Sequence, residues 1–506
     1  MASISDKSIK KLRAIATRPS LLVAIACLYF AFALDGTIYK MAIPVIVGGL
    51  TLISCLTVIW AAQRKLDSDK VIFIIAFLGF LIKAGYILYT GVESRQQDVY
   101  SFGKPEGHAG YIEYIYHRLK LPDFDPRTIW QYYHPPLHHI IVAIWLKINT
   151  FLGIGWERAK ENIQVLTLFY STLYMILSYK IFKEIGLKKI ALIIAFAIIS
   201  CHPTFIILSG SVNNDMLAIL FMQGGIYFTI RWYKETSYQN IIKIALCIGF
   251  GMMTKLSVGI IAPAIAFVLF FRFLNEEEKR AGYFKQFLLF GLICFPLGLW
   301  WGIRNKVLFD VPFSYVPSLG INSHQYIGDY SIFQRLLDFS AYQFKSVFVA
   351  WGEPYFEHNV FIGLLKSSVF GEQHLGNGKI WIELPALILF YSHLLIVGIA
   401  VIAMCWGFMK KLASPDSVIK TFIIFIYITV MASYVQFCFS YPHTCTQNIR
   451  YATPAIFIGV IFIGLFTDRI SQIQSRVKTI LISFLIASVV IFTISTVTFY
   501  TFLSFT

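Results

Sequence analysis

The sequence predicts an all-α membrane protein with about thirteen transmembrane helices. The first observation is compositional: 57% of the 506 residues are hydrophobic and 14% are charged. Soluble domains carry about 25% charged residues. The second observation is that the apolar residues fall into long runs, close to the roughly 20 residues that a helix needs to cross a bilayer. These runs leave almost no room for a separate soluble domain.

The runs expected to span the membrane follow one another with mostly short breaks. They are 20–37, 41–62, 71–90, 163–182, 188–206, 214–233, 239–255, 257–273, 284–303, 380–409, 419–440, 449–467 and 477–504. A further amphipathic run, 135–153, begins with two prolines and carries His138, His139 and Lys147. This run either spans the membrane or lies along its surface.

Charge distribution decides between these two options. The Lys and Arg residues behind the net charge of +16 form short clusters between the apolar runs. All of these clusters lie on one side of the membrane only if 135–153 does not span it, and cytoplasmic loops are the ones enriched in Lys and Arg. We therefore expect 135–153 to lie along the outer leaflet of the plasma (inner) membrane, with the N-terminus in the cytoplasm. Clusters of this kind also argue against nucleic acid as a partner.

The same reading divides the chain into four parts. We expect a cytoplasmic tail and two helices in 1–70, and a catalytic membrane module in 71–310 that contains a large outer loop, 91–160. An extracytoplasmic loop follows in 311–379, and the remaining helices occupy 380–506.

Polar chemistry is concentrated in the outer loop. Carboxylates and imidazoles crowd the stretch 97–147, and the predicted topology places 209–215, 254–255 and 442–450 on the same side. A transporter would be expected to carry ionisable groups inside its spans, on broken helices of a repeated chain. Ionisable groups gathered on one face favour a membrane enzyme that acts on a lipid-borne substrate. A lipid-linked sugar flippase or another transporter is the alternative.

Several motifs, in their order along the chain, resemble those of the GT-C glycosyltransferases. This class includes the protein O-mannosyltransferases and the lipid A aminoarabinose transferase. The resemblance covers about residues 70–460, and the first two helices look like an addition to the family core. The motifs are the acidic first loop, GYIEYI at 110–115, HPPLHH at 134–139, HPTFIILSGSVNNDML at 202–217, MMTKLS at 252–257, WWGIRN at 300–305, LLKSSVFGE at 364–372 and TQNIRYATPAI at 446–456.

The resemblance implies a GT-C fold and an activity. A sugar would pass with inversion from a polyprenyl-phosphate donor to an acceptor outside the cytoplasm, which could be a cell-wall polymer, a glycolipid or a protein. The acceptor hydroxyl must lose a proton, so a carboxylate is needed as general base. The leaving lipid phosphate needs cations or hydrogen-bond donors around it.

Two carboxylates are candidates for the base. Asp98 is preferred, because it is the first acidic group after a helix that delivers it to the membrane surface. The family pattern pairs an acidic residue with Glu shortly before an aromatic residue or His, and its closest literal match is Pro105-Glu106-Gly107-His108. Glu106 therefore remains the alternative.

Four residues are candidates for binding the donor phosphate. His134 precedes two prolines that begin a helix cleanly and fix its direction. Lys255 matches the helix-tip lysine of the family, and Arg304 and Arg450 lie at the outer boundary, where a guanidinium could bind phosphate with two hydrogen bonds. An ordinary interfacial anchor is the alternative for each of these cations.

A further set is expected to line the substrate cavity, with 311–379 as a lid. No cofactor is expected, although the i,i+4 pair His134 and His138 leaves a divalent metal conceivable. The eight cysteines show no metal-binding or disulfide spacing. The residues of the expected cavity set are His108, Tyr111, His138, Asn214, Asp215 and Lys366.

Overall fold

The structure is a computed structural model that describes residues 38–313, 315–349, 357–373, 375–376, 378–409, 417–474 and 476–506. The described residues form α-helices and short 3₁₀ helices, with one isolated β-bridge between Tyr326 and His443. The predicted all-α fold class is therefore confirmed. The predicted span 20–37 and the basic pair Lys410 and Lys411 lie outside the described residues.

We number the described α-helices in chain order. They are α1 Ile38–Ala62, α2 Ser68–Tyr89, α3 Gly107–Arg118, α4 Leu137–Phe151, α5 Trp156–Glu161, α6 Ile163–Glu184, α7 Lys189–Cys201, α8 Pro203–Gly210, α9 Asp215–Lys234, α10 Tyr238–Thr254, α11 Ala262–Asn275, α12 Arg280–Phe309, α13 Ile332–Leu337, α14 Val360–Phe370, α15 Ile380–Met409, α16 Ser417–Ser440, α17 Thr453–Ser471 and α18 Arg476–Phe502.

Among the described residues, 10 helical segments are long and apolar enough to cross a membrane. Each of them corresponds to one of the predicted runs, so the polytopic prediction is confirmed. The runs predicted at 214–233 and 239–255 form α9, of 20 residues, and α10, of 17 residues, which are helical but are not among these ten segments. The remaining predicted run is the undescribed 20–37.

Helices α7 and α8 form the centre of the bundle. They make one span, Lys189–Gly210, in which 78% of the apolar window is buried, against 17% for the peripheral span Met41–Ala62. Proline disfavours helical backbone in the preceding residue, and His202 is accordingly extended and separates α7 from Pro203 at the start of α8. Glycine at position 79 allows α2 to approach the backbone of α7 closely, since an added Cβ would lie 2.6 Å from the Ser200 carbonyl oxygen.

The large first loop contains α3, α4 and α5; α4 packs on both α3 and α5, and α4 and α5 also pack on α6. The run predicted at 135–153 forms α4, and its side chains Ile144, Ile148 and Phe151 are 55%, 44% and 89% exposed. An apolar face of this kind suits the predicted position along a leaflet, which remains a prediction.

The long segment 311–379 differs from a simple lid. Residues 311–313, 315 and 316 border the cavity described below, but α14 is a buried helix that packs against α8 and α15 inside the bundle. Asn359 caps its first turn by accepting hydrogen bonds from the N–H groups of Phe361 and Ile362. The division of the chain into four parts stays a prediction.

Candidate active site

A cavity of about 470 Å³ lies where the large first loop meets the ends of several helices. Its walls come from the first loop, the start of α9, the segment after α10, the end of α12, residues 311–313, 315 and 316, the end of α16 and the residues just before α17. Seven of the predicted site residues line it: Asp98, His108, His134, Asn214, Asp215, Lys255 and Arg450.

Asp98 is held in place mainly through its backbone. Its φ of 59° lies in the left-handed region, which is uncommon for residues other than glycine. The N–H groups of His108 and Ala109, at the start of α3, donate to the carbonyl oxygens of Asp98 and Val99. A side chain at Gly107 would collide with the Val99 carbonyl, so glycine is required there. These contacts fix the direction of the Asp98 carboxylate.

Arg450 lies in a short 3₁₀ turn, Ile449–Tyr451, just before α17. Its Nη1 is 2.5 Å from the Asp98 carboxylate and 3.7 Å from that of Asp215, and its Nη2 is 3.6 Å from Glu372. The Arg450 side chain is 4% exposed. One buried guanidinium therefore faces three carboxylates.

Lys255 supplies the second cation. It follows the last residue of α10 and forms an ion pair with Asp215, the first residue of α9. The Tyr451 ring lies beneath both cations, with its centroid 5.1 Å from Lys255 Nζ and 4.8 Å from Arg450 Cζ. Asn214 donates to the Thr254 carbonyl and so ties the two helix ends together.

Glu372 is the site residue that sequence reasoning missed. It lies just after α14 and accepts a hydrogen bond of 2.6 Å from the Asn448 side-chain amide, whose oxygen in turn accepts from the Arg450 N–H. Burial raises the pKa of Glu372 to about 7, opposed by Arg450 and reinforced by Asp98. Its place at the end of LLKSSVFGE, a motif already singled out, was the available signal.

Three imidazoles stack behind Asp98. The His108 ring lies 5.2 Å from that of His134 and 5.1 Å from that of His139, and His108 Nδ1 is 2.9 Å from His139 Nε2. Burial lowers the pKa of His108 and of His134 well below the ordinary value, and nearby positive charge from Lys255 acts in the same direction. His134 is therefore a neutral imidazole that can donate one N–H.

Two of the predicted ionic residues lie away from the cavity. Glu106 is exposed and precedes α3. The Arg304 guanidinium bonds the Pro122 carbonyl and the Asn305 side chain and packs 4.6 Å from the Trp301 ring, so it links α12 to the first loop.

Three further predicted residues are buried without lining the cavity. The Tyr111 ring stacks 4.0 Å from that of His139. The His138 Nε2 bonds the carbonyl oxygen of Val212 at 2.8 Å. Lys366 forms an ion pair of 2.5 Å with Glu357, and the two side chains are 1% and 2% exposed. The structure places none of the three at the cavity wall.

The described residues contain no group of three or more His, Cys, Asp or Glu side chains arranged to hold a metal ion. The seven described cysteines form no disulfide and are distributed through the bundle.

A helical membrane bundle with a cavity of paired carboxylates and cations defines the general class, a membrane-embedded enzyme. Residues 133–301 match the family model described as dolichyl-phosphate-mannose-protein mannosyltransferase. The match includes His134, Asp215 and Lys255 and lies within the stretch that resembles GT-C enzymes. It supports a membrane glycosyltransferase of the GT-C type. Comparison with curated proteins found no match.

Proposed function

We propose that the protein transfers a sugar, with inversion, from a polyprenyl-phosphate donor to an acceptor outside the cytoplasm. The observation that carries this proposal is the cavity in which Asp98 lies against Arg450, beside the pair of Lys255 and Asp215. The family match supports the donor class, because the donor named in its description is a sugar on a polyprenyl phosphate. The acceptor is a glycan, a glycolipid or a protein.

In this reaction Asp98 accepts the proton of the acceptor hydroxyl. The acceptor oxygen forms a bond to the anomeric carbon as the bond from that carbon to the phosphate oxygen breaks. A single displacement of this kind inverts the configuration. Asp98 suits the role because its side chain is 35% exposed, whereas that of Asp215 is 2% exposed and paired with Lys255.

Lys255, Arg450 and His134 bind the donor phosphate. All three line the cavity, and charge-assisted hydrogen bonds are strong in a partly desolvated site. A phosphate that engages Arg450 competes with its ion pair to Asp98, so donor binding frees the carboxylate to accept a proton. Arg304 is not included, since the structure places it outside the cavity.

The apolar side of the cavity receives the first units of the polyprenyl chain. Leu256, Ile260, Phe313, Val316 and Phe437 line this side, between the segment after α10 and the end of α16. A donor arriving from the bilayer would thus place its phosphate between apolar residues and the two cations.

The test is a transfer assay with the purified protein in detergent. A polyprenyl-phosphate-linked mannose is the first donor to try, with acceptor fractions from the cell envelope. We expect transfer that depends on the lipid donor. Movement of the donor across a sealed vesicle without transfer in detergent would instead support the flippase alternative.

We also propose that the cavity faces away from the cytoplasm, because the basic clusters lie opposite it in the predicted topology. Single cysteines at the exposed positions Lys65 and Lys104 test this orientation in a chain whose own exposed cysteines have been replaced. Labelling of position 104 but not 65 from outside is expected, and labelling of position 65 would reverse the assignment.

A further inference from the structure

A second cavity, of about 350 Å³, lies on the other side of the segment that carries Arg450. It is bordered by α14, α15, α16 and α17 and by the junction of α7 with α8. Apolar side chains form most of its wall. The polar residues Ser368, His202 and His393 lie at one end of it.

The second cavity opens sideways toward the bilayer. In the described part of the chain, α15 and α16 both pack against α17 but share no extensive contact with each other. Val401 of α15 lines the cavity and is nevertheless 52% exposed, so the cavity reaches the surface of the bundle within a transmembrane span.

The long axis of the cavity runs along the helices. His393 and Met404 both line it on α15, and a helix rises about 1.5 Å per residue, so these positions are roughly 16 Å apart along the membrane normal. His393 Nε2 lies 2.7 Å from the Ser368 hydroxyl, which donates to the Leu365 carbonyl. Hydrogen-bonding groups therefore lie near His393, and the lining toward Met404 is apolar apart from Tyr427.

A wall separates the second cavity from the active-site cavity. Tyr434 lines the active-site cavity, and its hydroxyl lies 2.9 Å from the Val360 carbonyl and 3.1 Å from the Gln447 carbonyl. Ile449 faces the second cavity while its neighbour Arg450 faces the first. No Lys or Arg is among the described residues that line the second cavity, so it offers no cation to a phosphate.

We propose that the second cavity binds an acyl chain of a bilayer phospholipid, distinct from the sugar donor. Apolar cavities stay dry, and an unfilled one weakens the packing around it. Here the opening gives direct access to hydrocarbon. The described lining offers no Lys or Arg to the charged phosphate of a polyprenyl donor, whereas a hydrocarbon chain needs none.

The bound chain has a consequence for the active site. Ser368 lines the second cavity, and the adjacent Ser367 accepts a hydrogen bond of 2.9 Å from the Ile449 N–H. A chain packed against α14 and Ile449 therefore supports the two segments that present Glu372 and Arg450. The bound acyl chain thus helps to hold Glu372 and Arg450 in position.

The experiment uses the full chain in vesicles of phosphatidylethanolamine and phosphatidylglycerol. The probe is a phosphatidylglycerol with a photoreactive acyl chain, and cross-links are located by mass spectrometry. The informative position is Ile463 of α17, which lines the cavity but is 1% exposed, so surface lipid does not reach it. Val401→Trp blocks the opening, and Ile402→Trp is the matched control, because Ile402 is 62% exposed and does not line the cavity.

We expect cross-links around Ile463 in the wild type and in Ile402→Trp, and their loss in Val401→Trp. Val397→Phe, inside the cavity, provides a second variant if the first does not fold. Equal cross-linking in all variants would overturn the proposal, and so would displacement of the probe by a polyprenyl phosphate, which would assign the cavity to the donor. Cross-linking requires no sugar transfer, so its outcome is independent of the proposed function.

Discussion

Two buried groups of charges in this protein differ in how their contacts are shared. Lys366 and Glu357 lie against each other at 2.5 Å, away from the active-site cavity. In the active-site cluster, Arg450 is shared by the three carboxylates Asp98, Asp215 and Glu372, and Lys255 contacts Asp215 as well. Among the described residues, this cluster thus has more carboxylates than cations.

The difference separates a structural ion pair from a site. The Lys366–Glu357 pair lies outside the cavity, and its burial makes the loss of either partner costly. In the cluster, Arg450 divides its contacts among competing carboxylates at 2.5 to 3.7 Å, so a newly arrived anion can redistribute them. Shared contacts at a cavity wall, more than burial, mark the functional group.

The largest expected effect is on transfer by Asp98→Asn. Removing a general base typically slows a reaction by about 10²–10⁴-fold, and the isosteric amide leaves the backbone contacts of position 98 in place. Transfer rate and donor binding should be measured together, with donor binding largely retained. Glu106→Gln, at the exposed alternative position, is the control and should leave the rate unchanged; the reverse result would move the base to Glu106.

Lys366→Met should act on stability instead. It removes the cation that contacts the buried Glu357 carboxylate, and breaking a buried ion pair typically costs about 3–5 kcal/mol. Thermal unfolding in detergent should show a lower midpoint, while the transfer rate per folded molecule stays near that of the wild type. Adding Glu357→Gln should recover part of the loss. A rate that falls with unchanged stability would place Lys366 in the site after all.

The smallest expected effect is a change in pH dependence in Glu372→Gln. The pKa of Glu372 is about 7 in the folded chain against an ordinary value of 4.5. The folded chain thus holds the proton more tightly, so this group makes the free energy of unfolding fall as the pH rises from about 4.5 to about 7. The variant should lose this contribution to the pH dependence of the free energy of unfolding. A plot of its unfolding midpoint against pH should therefore be flatter than that of the wild type. An unchanged slope would mean that Glu372 titrates in its ordinary range.

The fold could be predicted well because the bilayer imposes one strong pattern. Hydropathy alone located the ten spans that the structure describes as long and apolar. It could not locate the short breaks, such as the turn at Ile449–Tyr451 that was predicted as the start of a helix. That turn depends on the Asn448 side chain accepting the Arg450 N–H, a contact with no periodic signature.

The site could be predicted only in part. Asp98, Lys255 and Arg450 were identified because each lies at a predicted outer boundary, and the structure brings all three to one cavity. Arg304 was predicted at the same boundary and Lys366 in the outer segment 311–379, yet local partners hold both away from the cavity. Sequence position gives the depth of a side chain in the membrane, but not the direction in which it points around the bundle.

The attachment of Asp98 has a consequence for the substitutions that its loop tolerates. Main-chain hydrogen bonds from His108 and Ala109 hold the loop, and no side chain takes part in these two bonds. The sequence is restricted instead at Gly103 and Gly107, whose φ angles are 85° and 79°, and at Phe102, whose ring packs 6.2 Å from that of Trp156. A substitution at one of the two glycines would therefore displace the carboxylate without touching it. The family match begins at residue 133, beyond the carboxylate on which the proposed chemistry depends.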